Sequence, residues 1–322
     1  MLADSEQLSI VVLAGGSSSE REVSLQSGKN VAAALQEASH VVDVLDPAEF
    51  TIDDEDNVNT FLTALRRYDV ILPMLHGTGG EDGTLQRWLN RSGVPWIGSS
   101  PEASALTFDK VATRRRLMEN GLPVPAGVTL TKQARVDVVD ALRAGRQHLM
   151  FPVVVKPASQ GSSVGISIVQ AIDHFVPALR LAWQYGDHAL VESFIPGREI
   201  TVPWINGQLL PAVEIIPSQD WYNYHAKYTD DATKYLVDPP DLSPEVLEVA
   251  RRACEVCDVA GICRVDLRVT EEGQPFILEI NTIPGMTSHS LVPMSAAAAG
   301  MSLGQLCEHV CRNPNHGLRS GL

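Results

Sequence analysis

The sequence has no long hydrophobic run: none of its 322 residues lies in a stretch approaching the roughly 20 apolar residues that a membrane-spanning helix needs. Basic residues are few, with 25 Lys and Arg against 39 Asp and Glu, so the net charge is −14. Such an acidic chain is a poor candidate for wrapping nucleic acid or covering an anionic membrane. We therefore expect neither as a partner, although a few local cations can still bind a small anionic ligand.

Features of exported proteins are missing as well. Residues Met1–Glu6 are polar and acidic, whereas a signal peptide needs a basic start and an apolar core. Only five cysteines occur. Cys254 and Cys257 have the CxxC spacing of some metal and redox sites, but they lie in a helical pattern without a nearby Cys/His pair, so we interpret them as packed core thiols. These observations predict the reducing cytoplasm.

The two commonest nucleotide-binding motifs are absent. A Walker A loop requires Ser or Thr after its Gly-Lys pair, but Gly28-Lys29 is followed by Asn30. A dinucleotide fingerprint begins at Gly77 and fails at its last position, which is Asp82. Any nucleotide must therefore be bound by a different type of loop.

Strands and helices alternate through the first hundred residues, which is typical of an open parallel sheet. The apolar runs Leu8–Ala14, Val41–Leu45 and Tyr68–Leu75 are the predicted strands. Ligands of such sheets bind beyond the carboxyl ends of the strands. The turns Gly15-Gly16 and His76-Gly77 stand at two of these ends.

Later segments predict a helix, a strand pair and a long loop. The helix runs from Ser104 to Asn120 and ends at Gly121, a frequent C-cap residue. Two strands, Ile262–Thr270 and Phe276–Ile280, pair across a short turn. The segment Pro217–Pro240 lacks apolar periodicity and is rich in aromatic residues, which favours a functional loop.

A small-residue loop, Gln160–Gly165, lies between two predicted strands and is therefore the tip of a hairpin. Small residues let backbone N–H groups approach phosphate oxygens, and Lys156 supplies a cation just before the loop. Phosphate binding is one interpretation. A plain flexible hairpin is the other, because Gly/Ser turns are common.

Asp266, Glu279 and Asn281 form a second group on the predicted strand pair. Oxygen ligands of this type suit Mg²⁺ when phosphates and water complete the shell. Polar pairing across an exposed sheet face would also explain them. The apolar neighbours of these residues predict a half-buried sheet, where clustered acids need partners.

Three further residues are candidates, and two of them allow two interpretations each. Glu22 completes a Ser19–Glu22 capping box, yet it could also bind an ammonium group at a helix entrance. His76, at the end of a strand, could be a buried core residue or a functional one. Lys110 reads as an ordinary solvated helix lysine on base rates.

Taken together, these segments resemble the D-alanine–D-alanine ligases of the ATP-grasp superfamily, nearly from end to end. The matching segments are Gly15–Leu25, Leu75–Thr84, Lys156–Gly165, Ala226–Tyr228, Arg264–Asp266 and Glu279–Ser290. ATP-grasp enzymes in general share the lysine, the acidic pair and the asparagine. They do not share the Glu22 segment, Lys227-Tyr228 and Pro284–Ser290 together.

The resemblance implies an α/β chain, α+β in its ATP-grasp part, with an N-terminal open parallel sheet followed by a two-subdomain ATP-grasp fold. The implied limits are 1–108 for the substrate-binding domain, 109–200 for the central subdomain with the glycine-rich loop, and 201–322 for the C-terminal subdomain with the metal ligands and an ω-type loop. ATP would bind between the last two, with two Mg²⁺ ions that Mn²⁺ can replace. A homodimer is implied too.

The resemblance also assigns roles to individual residues. The implied catalytic residues are Glu22, Ser162, Tyr228, Arg264 and Gly285. The implied substrate-binding residues are His76, Lys227 and Ser290. The implied ATP-binding residues are Lys110, Lys156, Ser163, Glu192, Ser193, Ile195 and Glu199. The implied metal ligands are Asp266, Glu279 and Asn281.

The implied reaction joins two D-alanine molecules through an acyl phosphate made from ATP, for peptidoglycan precursors. In the family, a tyrosine at Tyr228 goes with D-alanine as second substrate. Two alternatives remain: a ligase with D-lactate or D-serine as second substrate, and a non-catalytic binding protein on the same scaffold.

Overall fold

The computed structural model describes residues 6–50, 55–133, 149–217 and 232–316. They form one parallel and two antiparallel β-sheets with helices packed on them, which confirms the predicted N-terminal parallel sheet in an α/β chain. Within these ranges no helix is long and apolar enough to cross a bilayer. The domain limits at 108 and 200 stay predictions; the strand Arg198–Ile205 crosses the second one.

The first sheet contains three parallel strands, β1 (Ser9–Leu13), β2 (Val41–Leu45) and β3 (Val70–Pro73). Their order is β2–β1–β3, as the apolar runs predict. The helices of this region are α1 (Arg21–Glu37), α2 (Glu55–Leu65), α3 (Thr84–Ser92), α4 (Pro101–Phe108) and α5 (Lys110–Glu119), with a 3₁₀ turn at Pro47–Phe50.

The turn after β1 brings its backbone close to the side chain of Asp46. Gly15 has φ +106°, and a Cβ there would lie 2.4 Å from Oδ2 of Asp46. Asp46 accepts a hydrogen bond from the Gly16 N–H (2.9 Å) and pairs with Arg21. Only glycine fits this conformation and space. The turn therefore aims the start of α1 at the carboxyl end of the sheet.

The predicted helix from Ser104 to Asn120 is two helices. Asp109 is extended, with ψ 102°, and its carboxylate accepts hydrogen bonds from the N–H groups of Val111 and Ala112. This N-cap ends α4 and begins α5. The break places Lys110 at the first position of a new helix, where its side chain is buried.

The second sheet is antiparallel and carries the predicted hairpin. Its strands are β4 (Gly127–Thr131), β5 (Val153–Pro157), β6 (Ser167–Val169) and β7 (His188–Ser193), in the order β4–β7–β5–β6. A 3₁₀ turn (Ile172–His174) leads into α6 (Phe175–Ala182), which packs on this sheet. Because β5 and β6 are paired neighbours, the small-residue loop is a hairpin tip as predicted.

The third sheet is also antiparallel. Its strands are β8 (Arg198–Ile205), β9 (Gln208–Leu209), β10 (Val213–Ile216), β11 (Lys234–Val237), β12 (Ile262–Val269) and β13 (Pro275–Asn281). The order is β11–β10–β8–β12–β13, with β9 on β8. Asp266 stands opposite Glu279 and Arg264 opposite Asn281, and a bulge follows Asp266. The predicted strand pair is confirmed.

The last helices are α7 (Pro244–Val256), α8 (Leu291–Ala298) and α9 (Leu303–Arg312). α7 packs on the third sheet and carries Cys254 and Cys257, both buried free thiols as predicted. Burial raises the pKa of Cys257 to about 12, which makes it unreactive. α9 returns to the first sheet, where Leu306 and Val310 share one core with Ile10 of β1.

Candidate active site

The buried carboxylate at the entrance of α1 belongs to Glu20 and not to Glu22, whose catalytic role stays a prediction. Glu20 is 6% exposed and accepts a hydrogen bond from Ser162 Oγ, whereas Glu22 is exposed. The predicted capping box does not form, because α1 begins at Arg21 and its N-cap Glu20 makes no side-chain cap. Two residues turn a helix by about 200°, so the carboxylates of Glu20 and Glu22 point to opposite sides.

Glu20 lies between two glycines, one in the loop that follows β3 and one in the loop between β5 and β6. A Cβ at Gly77 would be 2.7 Å from its Oε2, and a Cβ at Gly161 would be 2.6 Å from the same atom. Ser162, next to Gly161, has φ +48°, a left-handed conformation that is costly for a residue with a side chain. The glycine-rich loop is therefore held against the first sheet by its contact with Glu20.

A second buried carboxyl group, Glu81, lies beside Glu20. The N–H of Gly77 donates a hydrogen bond to Glu81 Oε2 (2.8 Å). Burial, and then the negative charge of Glu20, raise the pKa of Glu81 to about 8, while the guanidinium of Arg264 opposes the shift. Glu81 is therefore mainly protonated at neutral pH.

His76 supports the neighbouring loop from inside. Its Nδ1 lies 2.8 Å from the carbonyl oxygen of Ile283, and its Nε2 lies 3.4 Å from Ser27 Oγ. Burial lowers the pKa of His76 to about 4, so the ring is neutral. Ser27 Oγ also accepts a hydrogen bond from the Met286 N–H (3.0 Å). The ring thus links α1 to the loop that follows β13.

That loop contains the predicted residues Gly285 and Ser290. Ser290 Oγ accepts a hydrogen bond from the N–H of Thr287 (2.9 Å), and a Cβ on Gly285 would lie 3.0 Å from the same oxygen. Asn30 of α1 donates to the Met286 carbonyl (3.0 Å). Both residues are therefore held close together at the edge of the site, in a loop fixed at several points.

Two buried lysines pair with two predicted site carboxylates. Lys156 Nζ lies 2.6 Å from Glu192 Oε2, and both side chains are almost inaccessible. Lys110 Nζ lies 3.1 Å from Glu279 Oε2 and donates to the carbonyl of Gln160 (2.6 Å). Lys110 is thus buried and paired, and is not the solvated lysine that base rates favour. Its bond to Gln160 ties the hairpin tip to α5.

Asp266 is at the centre of a hydrogen-bond network on the third sheet. Its Oδ1 accepts from Thr201 Oγ1 (2.6 Å) and lies 3.1 Å from Arg264 Nε, and its Oδ2 accepts from Asn281 Nδ2 (3.0 Å). Asp266, Glu279 and Asn281 are therefore brought together as predicted.

These three residues fit a hard divalent cation. Carboxylate and amide oxygens are the ligands that Mg²⁺ uses, and it leaves the rest of its shell to water and phosphate. In the described part of the chain no group of three or more His, Cys, Asp or Glu side chains forms a metal cage by itself. Asp266 and Glu279 supply only two carboxylates, which suits an ion bound together with a polyphosphate.

A cleft between the second and third sheets opens to solvent. Its apolar walls with a few convergent polar and charged side chains are typical of small-molecule sites. The predicted site residues that line it are Lys156, Ser163, Glu192, Ser193, Ile195, Glu199, Asp266 and Glu279. Apolar side chains, among them Val154, Ile166 and Leu278, cover its walls, as a base and sugar would require.

A smaller cavity continues toward the first sheet. It is lined by Gly161, Glu81, Lys110, Glu279 and Asn281 among others. Glu279 therefore lines both spaces. The large cleft, which Lys156 lines, and the smaller cavity, which Lys110 and Glu81 line, therefore share one carboxylate.

Two predicted residues, Lys227 and Tyr228, lie outside the described residues. Their roles stay predictions.

The family model described as the D-ala D-ala ligase C-terminus matches residues 117–312. A D-alanine–D-alanine ligase from Gloeobacter violaceus is 41% identical over 94% of this chain and 97% of its own. A D-alanine–D-alanine ligase from Ectopseudomonas mendocina is 42% identical over 92% of this chain and 91% of its own. The chain belongs to the D-alanine–D-alanine ligase family.

Solved structures of this ligase family share the fold. The crystal structure of the D-alanine–D-alanine ligase from Bacillus anthracis has a TM-score of 0.78 and 30% identity, over 94% of this chain and 95% of that one. The same ligase complexed with ATP has a TM-score of 0.77 and 29% identity, over the same shares. The match covers both the first sheet and the two antiparallel sheets.

Sequence reasoning missed several polar residues of this ligase-family site. Glu20 was in the matched Gly15–Leu25 segment, but the capping pattern directed attention to Glu22. Glu81 also lay in a matched segment, and only its burial next to Glu20 sets it apart. Thr201 and Arg268 have no local signal, because their importance comes from pairing between strands.

Proposed function

We propose that this enzyme joins two D-alanine molecules to D-alanyl-D-alanine at the expense of ATP, releasing ADP and phosphate, for peptidoglycan precursor synthesis. One observation carries the proposal: Glu279 lines both the large cleft and the smaller cavity that reaches Glu81 and Gly161. A γ-phosphate bound at this junction would meet a carboxylate bound beside the first sheet.

The reaction needs activation of the first carboxylate, because an amine cannot expel oxide from it. Phosphoryl transfer from ATP gives an acyl phosphate, whose phosphate is a good leaving group. Lys110 and Lys156 would contact the phosphates and offset their charge. Both lysines already pair with carboxylates in the cleft, so their positions are fixed before ATP binds.

Two Mg²⁺ ions, replaceable by Mn²⁺, would be held by Asp266, Glu279 and Asn281. When bound, they neutralise charge on the transferring phosphoryl group. Thr201 and Arg264 hold the Asp266 carboxylate by hydrogen bonds, and Lys110 does the same for Glu279. The oxygen ligands are thereby oriented in advance.

The remaining steps use the loops around Glu20. We assign to Glu20 the role first given to Glu22, which is to hold the ammonium of the first D-alanine. The amine of the second D-alanine attacks the acyl carbon and loses a proton, and the C–O bond to phosphate breaks. Arg264 and the N–H of Gly285 would stabilise the oxyanion, which is typically worth several kcal/mol for preorganised donors.

Other residues would bind the second substrate and close the site. Ser290 and Lys227 would bind its carboxylate, and Tyr228 would join the Ser162–Glu20 pair over the reacting atoms. Closure excludes water, which would hydrolyse the acyl phosphate. In the cleft, Ser163, Glu192, Ser193 and Ile195 would contact the nucleotide, and Glu199 the ribose.

The deciding experiment measures phosphate release from ATP and Mg²⁺ and identifies the products by mass. The substrates are D-alanine, L-alanine, and D-alanine with D-lactate or D-serine. We expect phosphate and a dipeptide with D-alanine alone. A preferred depsipeptide or D-alanyl-D-serine would keep the mechanism and overturn the second substrate. Folded protein that releases no phosphate with any of them would refute the ligase function in favour of a binding protein.

We further propose a cytoplasmic homodimer. The family resemblance supports the dimer, and the five buried free thiols support a reducing compartment. Light scattering after size exclusion tests the dimer: a monomeric mass at micromolar concentration would contradict it.

A further inference from the structure

One row of side chains on β12 runs the length of the cleft. Alternate residues of a strand share a face, so Arg264, Asp266 and Arg268 lie in line. The first two belong to the phosphate and metal end of the site. Arg268 lines the other end of the cleft, together with Phe194, Ile195 and Glu199.

Arg268 and Glu199 are direct partners across the β8–β12 ladder. Arg268 Nη1 lies 3.3 Å from Glu199 Oε2, and both side chains are mostly buried. Paired side chains at this position hold each other's rotamers. The Glu199 carboxylate is thus anchored from the strand that also carries the metal ligand Asp266.

The same guanidinium holds the segment between β7 and β8. Arg268 Nε donates to the carbonyl of Ile195 (3.1 Å), and Nη2 donates to the carbonyl of Gly197 (2.7 Å). The guanidinium carbon also lies 5.5 Å from the ring centre of Phe194, a cation–π distance. One side chain therefore contacts four residues of a six-residue stretch that borders the cleft.

This arrangement depends on the planar fork of arginine. Three separate nitrogens donate to three different oxygens, which the single ammonium of lysine cannot reproduce. An ordinary cross-strand ion pair would need only the contact with Glu199. The two carbonyl contacts and the Phe194 ring show that the guanidinium also shapes the wall of the cleft.

We propose that Arg268 is a positioning residue of the nucleotide site, which aims the Glu199 carboxylate at the ribose hydroxyls and thereby gives the enzyme its preference for ribonucleotides. The inference rests on the proposed function, in which ATP occupies this cleft and Glu199 holds the ribose. It adds the residue that fixes Glu199, and a specificity that follows from it.

The test measures nucleotide binding without turnover. Isothermal titration calorimetry gives the Kd of ADP and of 2′,3′-dideoxy-ADP, which lacks both ribose hydroxyls, for wild type, Arg268→Met, Arg268→Lys, Glu199→Gln and the Met/Gln double variant. Arg251→Met is the matched control, because Arg251 also pairs with two carboxylates but lies on the exposed side of α7.

We expect wild type to prefer ADP, and Glu199→Gln to lose about tenfold of that preference, the size of one hydrogen bond to a charged group. Arg268→Met should lose a similar factor, and the double variant no more than the larger single effect. Arg268→Lys should fall between, and Arg251→Met should match wild type. In turnover assays KM for ATP should rise in Arg268→Met while KM for D-alanine stays unchanged.

Each contrary result has its own meaning. If Glu199→Gln keeps the full preference, the ribose role of Glu199 fails and the inference falls with it. If Glu199→Gln loses the preference but Arg268→Met keeps it, or weakens both nucleotides equally, Arg268 has only a structural role. Should Arg268→Met fail to fold, a lysine variant with wild-type preference would overturn the proposal. Phosphate release by wild type with D-alanine decides the ligase function independently.

Discussion

Replacing Glu20 by glutamine removes the buried carboxylate that we propose as the partner of the first D-alanine. Glu20 is 6% exposed and contacts Ser162, and its Oε2 lies against Gly77 and Gly161. Glutamine has nearly the same shape, so the loops should keep their positions. What changes is the carboxylate group, which we propose binds the ammonium of the first D-alanine.

The size of the effect follows from burial. A hydrogen bond to a charged group in a buried site is worth about 1.5–3 kcal/mol. Since about 1.4 kcal/mol is a factor of ten, kcat/KM for D-alanine should fall roughly 10- to 150-fold in Glu20→Gln. The Kd of ADP should not change, because Glu20 does not line the large cleft.

The assay is coupled ADP release at varied D-alanine, with ADP binding measured in parallel. Glu22→Gln is the matched control: it has the same chemistry two residues away on an exposed position and should behave as wild type. If Glu22→Gln lost activity and Glu20→Gln did not, the assignment of the α1 carboxylate would be refuted.

Three further predictions concern pH and metal. The pKa of His76 is lowered from 6.5 to about 4 in the fold. The stability that depends on its neutral ring is therefore present above pH 6.5 and is lost as pH falls toward 4. The free energy of unfolding measured with urea should depend less on pH in His76→Gln than in wild type. The pKa of Glu81 is raised from 4.5 to about 8, so its stabilising contribution is full below pH 4.5 and lost as pH rises through 8. Thermal melts at pH 5 and 8.5 should differ less in Glu81→Gln than in wild type, and an equal difference would contradict the shift. Asp266→Ala should abolish turnover with little change in D-alanine binding, as should chelation of Mg²⁺ in wild type; unchanged turnover would refute the metal assignment.

Periodicity and apolar runs correctly predicted the strands that have one buried face. The strand Val41–Leu45 has its predicted limits, and β12 and β13 pair as predicted, which brings Asp266 opposite Glu279. These predictions succeed because a strand with one buried face has only one compatible register. The proposed metal ligands, which lie on such strands, were accessible to the same reasoning.

Helix boundaries were harder to predict. The helical pattern from Ser104 to Asn120 looks continuous in the sequence. It is divided into two helices because the Asp109 side chain accepts hydrogen bonds from the first N–H groups of α5. The residue at which α1 begins likewise determines whether Glu20 or Glu22 faces the glycine-rich loop. A shift of one residue rotates every side chain by about 100° about the helix axis. Helix ends are set by local hydrogen bonds that composition does not reveal.

Contacts between distant segments could not be predicted at all. Arg268 looks like an ordinary strand residue until β8 places Glu199 beside it. Glu81 gains its raised pKa only because the fold brings Glu20 and a hydrophobic surrounding to it. Both effects arise from tertiary packing, which a single sequence does not report.

The return of α9 to the first sheet has a consequence for how the chain is made. Ile10 and Val12 of β1 share their core with Leu306, Cys307 and Val310 of α9. During synthesis the first sheet leaves the ribosome long before that helix exists. Val31 and Leu35 of α1 cover part of this core early, but the part that α9 covers stays exposed while nearly the whole chain is translated. Such long-range contacts slow folding and expose apolar surface to aggregation. Nascent chains that stop before Leu303 should therefore depend on chaperones more than the full chain does.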